Sequence, residues 1–131
     1  MGVTAFYASL LAFLFIVLSG RVIVWRRAQK VEIGDGQDRE LLRRIRVHAN
    51  FVEYTPMFIV LLGLAEQLAA PRTVLHLLGL GFLAGRLIHA YALSQTPHVL
   101  PLRVAGMVMS LTTIIAAALN CLMLALAKGL F

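Results

Sequence analysis

The chain has one cysteine, Cys121, among its 131 residues, so no intramolecular disulfide is possible. It lies in an apolar run with no nearby cation to lower its pKa, and it reads as a small buried hydrophobe rather than a reactive thiol. Charge is scarce as well: 14% of residues are charged and six are acidic. Between Val3 and Gly20, and again between Val104 and Ala127, there is no charge at all. No His or Cys stands at ligand spacing from His89, which argues against a metal site. No basic helix carries interleaved aromatic residues in a soluble module, which argues against nucleic-acid binding despite a net charge of +6.

What the chain has is hydrocarbon. Sixty per cent of its residues are hydrophobic, far above soluble usage. A fold of this size leaves much of its surface exposed, so a lipid bilayer must cover that surface. The reading is one all-α domain over residues 1–131: an integral membrane four-helix bundle with antiparallel up-down helices at about 3–26, 41–69, 73–94 and 102–127. Eighteen uncharged residues, extended through Val22–Trp25, suffice for a crossing of about 30 Å. A signal peptide is the competing reading of this first segment, but no basic region precedes it and no small-x-small cleavage site follows cleanly. Trp25 before Arg26 and Arg27 is an interfacial anchor. Pro56 falls inside the second helix, where a proline usually produces a kink. Glu66 and Gln67 mark its far end, and Ala70-Pro71-Arg72 is a tight turn.

Eight of the twelve Lys and Arg residues lie between Arg21 and Arg46, around a Gly34-Asp35-Gly36 turn, against four acidic ones. By the positive-inside rule this connection is expected to be cytoplasmic. The short Thr96-Pro97-His98 connection, with Arg103, falls on the same side, and both termini fall on the other. The cation excess is thus a signature of topology.

One stretch does not fit a plain membrane anchor. On a helix, Arg43, Arg46, Asn50 and Glu53 fall within roughly 80° of one another, with His48 on the other side. Glu53 lies about 10 Å of helix rise beyond Arg46, too deep for its short side chain to reach water easily. Such groups are expensive in lipid unless they serve one another or a ligand. Arg86 and His89 share a face of helix three, and Arg103 opens helix four. All seven are expected near one membrane boundary. The plain alternatives are snorkelling for Arg43, Arg44 and Arg86, and an intramembrane Glu–Arg pair that only fixes helix packing.

The run Arg43-x-x-Arg46-x-His48-x-Asn50-x-x-Glu53-x-x-Pro56, then Gly85-Arg86-x-x-His89-Ala90, then Arg103 at the start of the last helix, resembles the membrane-associated proteins in eicosanoid and glutathione metabolism, the MAPEG family. The resemblance covers essentially the whole chain, and the compact loops are similar to those of small bacterial members. It implies a homotrimer in the cell (inner) membrane that binds glutathione between subunits near the cytoplasmic side. By position, Asn50 and Glu53 would hold the γ-glutamyl end, Glu53 receiving its ammonium, and His89 would contact the peptide. The resemblance implies that Arg43, Arg46 and Arg86 would supply further contacts to the tripeptide. Arg103 matches the arginine that stabilises the glutathione thiolate in the enzymatic members. The activity implied is a detoxifying glutathione transferase or peroxidase acting on a lipophilic small molecule.

The chain departs from the family pattern at three places. Ala49 stands where several family enzymes place a further arginine, Leu93 where a tyrosine is usual, and Val104 where one branch has serine. Arg21, Arg26 and Arg27 all remain open as the family's helix-one base. Two other classes compete: a small proton-coupled exporter of hydrophobic cations working through Glu53, and a non-catalytic structural membrane protein. The arginines on Glu53's own face disfavour cations and suit an anion.

Overall fold

The computed structural model describes residues 1–97 and 99–129. His98, placed by sequence in the last polar connection, lies outside the described residues. Four helices follow one another, α1 (Gly2–Gln29), α2 (Arg39–Gln67), α3 (Arg72–Ser94) and α4 (Leu100–Ala127). All four are long and apolar enough to cross a membrane. The described residues contain no strand.

Local chemistry sets the ends, and it moves them from the boundaries that hydropathy suggests. α1 runs through Arg26–Gln29, all good helix formers, before Lys30 turns left-handed at φ 55°. α2 starts two residues earlier than hydropathy suggests because Asp38 caps it: its Oδ1 accepts the N–H groups of Glu40 at 2.8 Å and Leu41 at 3.0 Å. The other Asp38 oxygen accepts the Trp25 indole N–H at 3.0 Å, so one carboxylate both starts α2 and fixes the end of α1. α2 continues without interruption through Pro56.

Glu66 does more than mark an end. Nothing in α1's own first turn caps it by a side chain; instead Glu66, from the far end of α2, accepts the N–H groups of Val3 at 3.0 Å and Thr4 at 2.8 Å. A carboxylate at a helix N-terminus also suits the helix dipole.

Because lipid is as apolar as leucine, membrane helices are held by close packing and polar contacts rather than by water exclusion. α3 and α4 show how close. A Cβ on Gly106 would stand 2.6 Å from the backbone nitrogen of His89, and one on Gly85 would stand 2.6 Å from the Ser110 hydroxyl. Phe58 and Phe82 stack between α2 and α3 with centroids 4.0 Å apart. Large side chains such as Phe13, Ile16 and Met123 face outward, as the bilayer requires.

Two expectations follow. Gly106→Ala must push backbone against backbone and should lower thermal stability in detergent by roughly 1–3 kcal/mol; Gly20→Ala, whose Cβ meets nothing within 4 Å, should not. The second concerns acid. The Leu41 N–H, then the Trp25 indole, hold the Asp38 carboxyl below the ordinary carboxylate range. With its folded pKa depressed, the Asp38 contribution is complete above the unfolded value near about 4 and disappears as pH falls through the folded value. Asp38→Asn should therefore lower the melting temperature at neutral pH, where that contribution is present, and flatten its acid decline, so that the two proteins converge as pH falls below the folded pKa.

Candidate functional site

The site begins with a buried guanidinium. Arg86 is 2% exposed, which rules out the snorkelling alternative for this side chain. Its Nε donates to Ser110 Oγ at 2.8 Å, its Nη1 to Asn50 Oδ1 at 2.8 Å, and its Nη2 approaches Met107 Sδ at 3.9 Å. The guanidinium carbon also lies 5.4 Å from the Tyr54 ring centroid and 5.6 Å from that of Phe82. One side chain thereby joins α2, α3 and α4. The Gly85–Gly106 approach is what brings Ser110 within its reach, and the Ser110 hydroxyl itself donates a hydrogen bond to the Gly106 carbonyl at 2.8 Å.

These partners are neutral. Among the described residues no carboxylate lies within ion-pair distance of Arg86. Arginine has donors only, so the Asn50 amide must turn its oxygen inward to meet it. Its NH2 then points away from Arg86, where it can donate to an acceptor.

Arg86 leads to a cavity. His89, 4% exposed, lines a hollow of ≈ 300 Å³ together with Leu100, Arg103, Val104, Met107 and Val108. Met107 belongs to both settings, since its sulfur meets Arg86 and its side chain lines the hollow. Arg103 itself is exposed at the start of α4.

A single chain does not gather the seven residues in one place. Asn50, Arg86 and His89 are turned inward, while Arg46 and Glu53 lie on the exposed face of α2. None of the α2 residues lines the hollow of His89 and Arg103. Glu53 forms no ion pair among the described residues, so the packing role considered for it is not fulfilled within one chain. Arg43 is taken by Glu40 Oε2 at 3.2 Å and by the Thr96 hydroxyl; it ties α2 to the connection before α4.

The remaining polar residues hold α1. Arg44 does not snorkel: it bonds Glu40 at 2.8 Å and lies over the Trp25 ring at 4.3 Å. His48 Nε2 meets Ser19 Oγ at 3.0 Å, and Arg21 donates to Ser94 Oγ at 2.9 Å. Tyr91 lies on the outside of α3, and Leu93 packs against the core. The tyrosine missing at position 93 is therefore not replaced from position 91.

Sequence reading missed Ser110, Met107 and Tyr54. The available signal was weak: a Gly106-x-x-x-Ser110 pair of small residues facing Gly85, which marks close approach without saying what approaches. No three metal-ligating side chains come together among the described residues.

The chain matches the MAPEG family over residues 4–123. Among individual relatives, the protein named Inner membrane protein YecN of Escherichia coli strain K12 is 43% identical over 89 residues, 68% of this chain and 68% of that protein. The protein of the same name from Escherichia coli O6:H1 strain CFT073 is similar to the same extent.

The Asn50–Arg86 bond is open to a double-mutant cycle. Arg86→Met and Asn50→Leu should each destabilise the protein, and the pair together less than the sum, with a coupling of about 0.5–3 kcal/mol. Thermal denaturation in detergent reads it, and strictly additive losses would contradict the contact.

Proposed function

The chain belongs to the MAPEG family, and from that we propose that it binds glutathione and directs the thiolate at a lipophilic electrophile, as a transferase or peroxidase. The observation that carries this reading is the uncompensated charge of Arg86 behind an amide whose donors face away from it. A buried cation without a carboxylate favours an anion nearby.

We assign the γ-glutamyl carboxylate to the Asn50 amide and the neighbouring Arg46, and the ammonium beside it to Glu53. His89, on the wall of the hollow, contacts the peptide. Arg103 holds the sulfur: a guanidinium stays protonated at any relevant pH and lowers the pKa of a thiol beside it, which raises the nucleophilic fraction. The proton leaves to solvent at the membrane boundary. In a conjugation the thiolate then forms the new carbon–sulfur bond as the leaving group departs with its electron pair. The electrophile reaches the site through lipid, where it is already concentrated. Arg86 takes no part in this contact; it acts through Asn50.

The assembly in this reading is a homotrimer in the inner membrane. Arg46 and Glu53 on an outward helix face are costly against hydrocarbon, and a neighbouring subunit supplying the rest of the site relieves that cost. The α1–α2 and α3–α4 connections face the cytoplasm, following the cation excess.

Two measurements test the proposal. Calorimetric titration of the purified protein with glutathione should show saturable binding that Glu53→Gln weakens. In a conjugation assay with a generic aryl halide, Arg103→Ala should lower turnover by at least about tenfold, the scale expected for losing a group that stabilises developing or transferred negative charge. Equal turnover in the two proteins would remove the catalytic assignment.

A further inference from the structure

Met107 joins the buried guanidinium to the hollow, and the glutathione chemistry leaves its sulfur unused. The half-buried side chain lines the wall beside Arg103. The two residues are four apart on α4, which puts their Cβ atoms about 5–6 Å from each other. On the other flank, Arg86 Nη2 lies 3.9 Å from Met107 Sδ. A thioether therefore sits between two guanidinium groups, on a wall that an incoming molecule meets. It accepts hydrogen bonds only weakly, so it is the poorest of the three acceptors that Arg86 has.

Other methionines are placed differently. Met57 and Met109 are 58% and 37% exposed, lie well inside the membrane-crossing helices α2 and α4, and face hydrocarbon. Neither sulfur has a hydrogen-bond donor among the described residues. Oxidation of a thioether by a hydroperoxide develops negative charge on the departing oxygen, and a donor must meet it there. Water does so at a surface, but hydrocarbon does not. In the hollow the Arg103 guanidinium does, and donors aimed at developing charge act most strongly where water is excluded. Exposure and chemistry thus rank these methionines in opposite orders.

We propose that Met107 is a redox modification site, converted to its sulfoxide by lipophilic hydroperoxides that enter the hollow. The sulfur lone pair attacks the terminal peroxide oxygen, and the sulfur–oxygen bond forms as the oxygen–oxygen bond breaks. The departing oxygen keeps the bonding pair, is held by Arg103, and takes the proton that the terminal oxygen gives up. Sulfur loses two electrons, the peroxide gains them, and an alcohol leaves. The new sulfoxide oxygen is a polar acceptor, and the rotatable methionine side chain turns it toward Arg86. A sulfoxide ordinarily disrupts a core; here it gives the guanidinium a better acceptor than the thioether it replaces. The step uses the hollow already described but needs no glutathione.

The test is peptide mass mapping of the full chain in lipid nanodiscs, treated with cumene hydroperoxide. Glutathione is left out, so a failure here leaves the proposed function standing. Met107 should gain oxygen at least about tenfold faster than Met57 and Met109. Arg103→Ala, at an exposed position, should slow Met107 by about tenfold and leave Met57 and Met109 unchanged. Once Met107 is oxidised, the native protein should melt no lower than before, with Met107→Leu under the same treatment as the baseline. Three results would overturn the proposal: a rate at Met107 no higher than at Met57 and Met109, a rate there that survives Arg103→Ala, or a melting temperature that treatment lowers in the native protein but not in Met107→Leu.

Discussion

The structure depends on a charge placed where water does not reach it. Arg86 sits where α2, α3 and α4 meet, and every hydrogen-bonding partner it has there is neutral: an amide, a hydroxyl and a thioether. Removing a charge from water is expensive, and neutral hydrogen bonds recover only part of that cost. The arrangement persists because two glycines let α3 and α4 approach until the Ser110 hydroxyl reaches the guanidinium. The guanidinium's Nη1, donating to Asn50 Oδ1, fixes which way that amide faces. A packing feature of the lipid-embedded bundle thereby becomes a chemical preference for an acceptor.

α1 is attached differently. It packs against α2 and α3 and buries little of its own surface. Polar contacts hold it at intervals along its length: Glu66 at its start, Tyr7 donating to the His76 carbonyl at 3.1 Å, Ser19 with His48, Arg21 with Ser94, and Trp25 with Asp38 and Arg44. In hydrocarbon such contacts have no water to compete with, which is why a few of them position a helix that contributes few buried side chains. They also leave the outward stripe of α1 free to meet lipid.

Much of this was legible in the residue order. Uncharged runs ending at Trp25 and Gly20, the Gly34–Gly36 turn and the Ala70–Pro71 turn located four helices to within a few residues, because the bilayer imposes length and hydropathy without reference to tertiary contacts. Helix periodicity likewise put Asn50 on the stripe with Arg46 and His48 off it. Periodicity names a face but not what lies opposite, so the inward turn of Asn50 and the outward turn of Glu53 were indistinguishable. The burial of Arg86 depends on Gly85 meeting Gly106 across two helices, and the Glu66 cap depends on the register of antiparallel neighbours. Neither is local. Asp38 was the exception: an N-cap is a local device, and its boundary was readable in principle.

Arg86 is left without a carboxylate, and in the proposed reading a ligand's carboxylate is drawn to the amide in front of it. Asn50→Asp tests this directly, because it places a carboxylate of the protein's own against the guanidinium with almost no change of shape. Thermal stability and glutathione affinity are measured together on the same preparation. The variant should melt at a higher temperature than the native protein without ligand and should no longer bind glutathione measurably. A variant that binds glutathione as tightly as the native protein would contradict that reading.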